Sequence, residues 1–256
     1  MFNLTLSKFA ITTVALSLVS LYAVEYKLDK TTHWQRNGGF IQYAPNILHG
    51  KGRIVAFSMD CFAYNPKKTY TLKGIYRQKP GSESNIFRIG IVPLDKDKKV
   101  IEYAYNNPLK NSDTVLLQTV NKSDTTIIVK NAANWNKRCF IAFNTKLDYS
   151  DLPNYNLLRQ MPQKITKVAN GWKITFAKAV NVSYKAGTPL RQQRNGSQYL
   201  YQATGTAGEV LGNIKCSRWA PGTKFFRVII LSGTDGIKLN ENIPLLEIIN
   251  PAVEEK

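Results

Sequence analysis

The side chains best suited to chemistry in this sequence are aromatic and planar-polar, not catalytic. Two His occur, His33 and His49, too few for most metal and triad chemistry. No GxSxG, HExxH or P-loop pattern is present. Four Trp and thirteen Tyr, by contrast, offer flat faces for stacking on sugar C–H groups. Arg, Gln and Asn can fork onto hydroxyls and carboxylates beside them. Two stretches collect both kinds. Trp135 stands between Asn134 and Asn136, and the polar connection 146–163 holds Tyr149 and Tyr155 with Asp148, Asp151, Asn154 and Asn156. Arg191, Gln192, Gln193, Arg194, Asn195 and Tyr199 form the second cluster. The expected ligand-binding residues are therefore Trp135, Tyr149, Asp151, Tyr155, Arg191, Gln193, Arg194 and Tyr199. The plainer readings are aromatics that pin a long loop to the body, and a solvated hairpin tip. Trp172 follows Asn170-Gly171 at the head of an alternating strand and reads as core. Asp148 and Asp151 could be a hydrolase's carboxylate pair, but that chemistry needs two acids across a cleft, which their spacing does not supply.

The segments that must position these residues are short and apolar. The stretch 54–64 reads IVAFSMDCFAY, with Val55, Phe57, Met59, Cys61 and Ala63 alternating against Ala56, Ser58, Asp60 and Phe62. After the turn at 65–68, TYTLKGIYR puts Tyr70, Leu72, Gly74 and Tyr76 on one face. IFRIGIVPL follows, then the turn 95–99 and an expected short strand at 100–105. Further short runs lie at 115–120, 125–129, 139–143, 172–177, 198–203, 225–231 and 243–249. Beyond residue 23 no sustained 3.6-residue apolar period occurs. Many short strands between Gly, Pro and Asn turns predict a sandwich or barrel. Ala186-Gly187-Thr188-Pro189-Leu190-Arg191 echoes Pro221-Gly222-Thr223-Lys224-Phe225-Phe226-Arg227, each placing Gly-Thr at a turn before a strand.

The first 23 residues have one charge, Lys8, an apolar run 9–22 and a small Ala23. That pattern predicts a cleaved N-terminal signal peptide helix and a secreted, periplasmic or cell-surface location, with no membrane span left after cleavage. A formal charge of +18 draws the chain toward polyanions such as acidic polysaccharide. The Lys residues are scattered and form no long basic block, so the charge also reads as plain solubilisation, and no specific nucleic-acid partner is implied. Cys61, Cys139 and Cys216 each lie in strand-like apolar context. They read as three structural thiols, or as one disulfide and one buried thiol.

Three pieces together resemble the secreted jelly-roll carbohydrate-binding modules of cellulase type, a galactose-binding-like β-sandwich. They are NPKKTYTLKGIYR at 65–77, IGIVPLD at 89–95 with Lys98 after it, and Gly222-Thr223 through Leu231 followed by LNENI and LEI at 239–248. The resemblance spans 52–105 and 220–249. It implies a glycan ligand, and it admits a structural calcium, although Asn240 and Asn242 stand where acids are usual. Asp95 and Asp97 lack a full set of oxygen ligands and read as a turn.

The sequence therefore predicts an all-β protein, an antiparallel β-sandwich of jelly-roll type at 24–256 with a long middle elaboration at about 109–219. It predicts a secreted, non-catalytic carbohydrate-binding or surface-attachment function, favouring acidic or cell-surface glycans, with no cofactor. The alternatives are a structural or adhesive sandwich with no sugar site, and an extracellular polysaccharide-active hydrolase or lyase. The lyase would need Tyr, Arg and Lys converging in a cleft. Exported material is expected to begin near Val24; N-terminal sequencing that finds Met1 on secreted protein removes the export reading.

Overall fold

A computed structural model describes residues 23–79, 86–233 and 245–256. The expected signal peptide lies outside these residues, as do Asn240 and Asn242. Along the chain the strands are β1 Val24–Lys27, β2 Phe40–Ala44, β3 Ile47–Lys51, β4 Ile54–Phe57, β5 Phe62–Ala63, β6 Tyr70–Gln78 and β7 Ile86–Leu94. The single helical turn α1, Tyr103–Asn106, follows where a strand was expected. Then come β8 Thr114–Val115, β9 Thr126–Val129, β10 Cys139–Phe143, β11 Leu157–Leu158, β12 Lys164–Val168, β13 Gly171–Thr175 and β14 Pro189–Arg194. The chain closes with β15 Leu200–Thr206, β16 Val210–Lys215, β17 Phe225–Ser232 and β18 Leu245–Glu255. Every strand pairing is antiparallel. Among the described residues no helix is long and apolar enough to cross a membrane.

Two sheets share the first core. One runs β16-β6-β18-β3-β2, with β1 also on β18; the other runs β15-β7-β17-β4, with β5 also on β17. Period-two alternation decides what meets between them. Leu48, Leu72, Tyr76, Leu246, Ile248 and Val253 come from the first sheet, and Ile54, Phe87, Ile89, Ile91, Phe226, Val228 and Ile230 from the second. Burying each such side chain is worth about 1.5–3 kcal/mol, so this face dictates register. Tyr70, Leu72 and Tyr76 share the buried face as their alternation predicts. At 54–64 the set Val55, Phe57 and Cys61 turns outward while Ala56, Ser58 and Phe62 are buried, and the strand breaks after Phe57, where Ser58 Oγ donates to the Asp60 carbonyl and accepts from the Val228 amide.

A second lobe hangs from this sandwich. Its sheets are β11-β10-β14-β8 and β12-β13-β9. They enclose Leu116, Ile127, Val129, Trp135, Ile141, Phe143, Ile174, Phe176 and Leu190. The elaboration is thus smaller than the expected 109–219: β15 pairs with β7 and β16 with β6, which returns 200–215 to the sandwich. Short polar strands such as QYLYQA carry no mark of which sheet they join; that is set by pairing across more than 100 residues of chain. The two Gly-Thr turns match each other as their sequences do. Thr188 and Thr223 each donate the hydroxyl to the carbonyl three residues back, at 2.7 and 2.6 Å, just before β14 and β17.

Gly90 is the position where β15 presses on β7. A Cβ there would lie 2.4 Å from the Leu200 carbonyl oxygen, beside the irregular register at Tyr201/Ala203. Gly90→Ala is expected to lower stability by about 1–3 kcal/mol through overpacking. Urea unfolding should show a lower midpoint at unchanged slope; an unchanged midpoint would mean that β15 retreats freely.

Candidate functional site

The expected site residues divide among three places. Trp135 is core: its indole Nε1 donates to the Ser112 carbonyl at 2.8 Å, so a polar-looking loop hides a buried ring. Tyr149, Asp151 and Arg191 do come together, but as a structural knot. Arg191 is fully buried on β14, its Nη2 2.7 Å from Asp151 Oδ2 and its Nη1 donating to the Lys146 carbonyl. Its guanidinium lies 4.8 Å from the Tyr149 ring centre. Asp151 also accepts from the Lys146 amide and from Asn154 Nδ2. Burial alone would raise the Asp151 carboxyl, yet Asn154, the Lys146 amide and Arg191 together hold it below the usual range. Gln193 is fully buried beside this knot, and Arg194 stands exposed at the strand end. Asp148 accepts from the nearby Ser150 amide and hydroxyl, within its own loop. The carboxylate pair is therefore one locked ion and one loop cap.

Tyr155 belongs to a latch between lobe and sandwich. Its hydroxyl donates to Asp95 Oδ2 at 2.7 Å, its ring meets Tyr105 edge-on, and the Lys99 ammonium sits 4.2 Å above it. Arg159 bridges Glu102 at 2.8 Å and the Tyr105 hydroxyl. Tyr, Arg and Lys thus do converge, the set a lyase would use. Desolvation, and then the Asp95 carboxylate, push the Tyr155 phenol well above its ordinary range. A phenol held that way is a poor base near neutral pH. Asp95 Oδ1 accepts from the Asp97 and Lys99 amides, so both its oxygens are engaged and it does not fit a calcium shell. Among the described residues no group of His, Cys, Asp and Glu is arranged to hold a metal ion.

The Cys are all free thiols: Cys139 and Cys216 are buried, Cys61 half-buried. Burial pushes the Cys216 thiol up to about 12 and raises Cys139. Cys139 and Cys216 therefore pack as small, protonated, apolar groups.

Tyr199 leads to the surface that sequence reasoning missed. The outward face of β15-β7-β17-β4 is apolar too. Val92, Leu94, Ile229 and Leu231 are nearly fully buried there, under half-buried Phe57, Cys61, Tyr199, Tyr201 and Phe225. Phe57 and Tyr199 have ring centres 5.8 Å apart, and Tyr199 and Tyr201 6.3 Å. The Arg88 guanidinium lies 5.4 Å from the Tyr201 ring, the Lys98 ammonium 5.5 Å from Phe225, and Arg227 Nε contacts Cys61 Sγ at 3.1 Å. Among the described residues, this cluster is built from the sheet's own strands and from Cys61, Val100 and Tyr199, the last just ahead of β15. Rings set among cations over an aliphatic floor can stack on sugar faces and bind their polar substituents. The signal was in FFRVIIL, where both parities are apolar but only one carries Arg, and in QYLYQA, where one parity carries a pair of Tyr. None of the four Trp joins this face: Trp34 and Trp135 are buried, and Trp172 and Trp219 pack half-buried against the two cores.

The Arg191–Asp151 pair sets a pH prediction. The folded Asp151 carboxyl lies below the unfolded value of about 3.9. Its contribution is fully present above that pH and is lost as pH falls through the folded value. Asp151→Asn should be less stable than wild type at pH 7 and should show a shallower acid limb below about pH 4 in melting experiments. Arg191→Met, which strands the buried carboxylate, should cost about 3–5 kcal/mol.

No family model matches the chain, and no curated protein matches it.

Proposed function

We propose that this chain is an exported, non-catalytic carbohydrate-binding protein, its sandwich of jelly-roll type, and that it holds glycan on the outward face of β15-β7-β17-β4. The observation that carries the reading is the grouping of Tyr199, Tyr201, Phe57 and Phe225 with Arg88 and Arg227 over a buried aliphatic floor. Stacking on a ring needs a flat, partly exposed aromatic backed by rigid packing, and both Tyr meet that description. The excess of cations favours acidic or cell-surface glycans over neutral ones. The non-catalytic part of the reading rests on the engaged state of the acids. Asp95 and Asp151 already accept hydrogen bonds on both oxygens, and the Tyr155 phenol is held protonated.

Calorimetry with a panel of neutral and acidic polysaccharides tests this. Tyr201→Ala and Tyr199→Ala should each weaken binding at least about tenfold at any salt, the loss of a stacking anchor. Binding to acidic glycan should also weaken as salt rises past physiological strength, where the screening length is about 8 Å. No heat with any glycan would leave a structural or adhesive sandwich; release of sugar fragments would establish an enzyme.

A further inference from the structure

The ring-bearing face has a direction. Pairing registers place Tyr201 opposite Gly90, Gly90 opposite Ile229, and Ile229 opposite Phe57. These four positions form one row across the sheet, perpendicular to the strands. Three strand spacings of about 4.8 Å give it a length of about 14 Å, the reach of a short oligosaccharide. Tyr201 and Phe57 stand at its ends, and the Tyr199 ring, 6.3 Å from the first and 5.8 Å from the second, lies between them.

The Phe57 end opens into a cleft of about 560 Å³ between edge strand β4 and the 3-10 turn Gln35–Gly39. Gln35, Arg36, Gly38, Gly39, Arg53, Val55 and Phe57 line it. Phe57 and Val55 therefore belong to both surfaces. The turn is held against the sheet by a bridge between Trp34 and Ser58 and by the Met59 amide donating to the His33 carbonyl at 2.7 Å. Arg36 and Arg53 are exposed, and neither forms an ion pair with any described carboxylate. Among the described lining residues there is no acid. Arg77 and Arg159, by contrast, are paired with Glu247 and Glu102. Two guanidiniums with no ion-pair partner among the described residues, beside an aromatic ring in a cleft whose described lining holds no carboxylate, form an anion-accepting pocket with an apolar floor.

We infer that this cleft is the anionic subsite of the glycan surface: a saccharide lying along the Tyr201–Phe57 row delivers a carboxylate or sulfate ester to Arg36 and Arg53. The inference rests on the ring-face reading proposed above and names the ligand class for it. The planar guanidinium fork matches a carboxylate in two parallel hydrogen bonds, so a uronic acid residue is the ligand whose geometry it fits directly. Gln35 can pair with the neighbouring hydroxyls.

Titration calorimetry on the full chain tests it with three probes: a uronic acid hexasaccharide, its carboxyl-reduced neutral counterpart, and a sulfated hexasaccharide of the same backbone. The uronate should bind about tenfold more tightly than its reduced form. The R36Q/R53Q double variant should abolish that preference and bring the two affinities to parity. Both side chains are exposed, so its melting temperature should match wild type. R36K/R53K, which keeps the charge but not the fork, should recover part of the preference. A sulfated probe that exceeds the uronate, and loses its advantage in R36Q/R53Q, would support the subsite and assign the anion to a sulfate ester. If R36Q/R53Q keeps the wild-type preference while Tyr201→Ala weakens all three probes, the subsite is overturned and the ring-face reading stands. If no probe binds wild type, both are overturned.

Discussion

The pairing of β7 with β17 is the interaction on which the rest depends. These strands match from Phe225 opposite Leu94 to Ser232 opposite Phe87, at the middle of their sheet. Both faces of the pair are apolar. One face supplies Phe87, Ile89, Ile91, Phe226, Val228 and Ile230 to the core shared with the six-stranded sheet. The other supplies Val92, Leu94, Ile229 and Leu231 to the floor of the candidate site. A strand with one polar face would need only a core; a strand apolar on both must be covered twice. Here the second cover is made of rings and Arg side chains, amphipathic groups that bury an apolar body beneath a polar end. The same demand for burial that holds the sandwich together also gathers the groups that can receive a ligand.

The second lobe is attached where β7 ends. Asp95 and Lys99 flank the turn after β7, and Glu102 and Tyr105 follow it. Tyr155 and Arg159 from the lobe engage all four, through hydrogen bonds, an ion pair and ring contacts. Pro153 also lies against the turn at Gly222 that leads into β17. The lobe thus braces the strand pair at its base while the ring-bearing face stays outside its core. This explains why polar residues at 148–159, attractive as ligand contacts, are spent internally. An exposed Asp–Tyr pair contributes little on its own, but a network with cation–π support fixes a mutual orientation.

Electrostatics then separates the surface into engaged and available charge. Glu247 is held below the usual carboxylate range against the opposing effect of burial, by His49 and Arg77. Asp151 and Asp95 are likewise lowered by their donors. Among the described residues the acids are few and mostly paired, and Arg36 and Arg53 at the end of the aromatic row have no ion-pair partner there. Arg rather than Lys at both positions matters, because a rigid planar fork loses less freedom per hydrogen bond than a flexible ammonium.

The amino-acid order alone determined the all-β class and the buried face of Tyr70, Leu72 and Tyr76. It also determined the twin turns before β14 and β17, because Gly-Thr chemistry acts over three or four residues. All of these are local: period two and turn bonding are written in neighbouring positions. Tertiary structure decided the rest. Trp135, flanked by two Asn, became core because Ser112, 23 residues earlier, offers its indole a carbonyl. Arg191 and Asp151, 40 residues apart, became a buried pair, so a polar string that reads as a hairpin tip is interior. Tyr201, Gly90, Ile229 and Phe57 form one row only because four strands distant in sequence lie side by side. A sequence lists which side chains are available; which are consumed by packing and which remain for a ligand is set by pairings between distant strands, and those leave no local pattern.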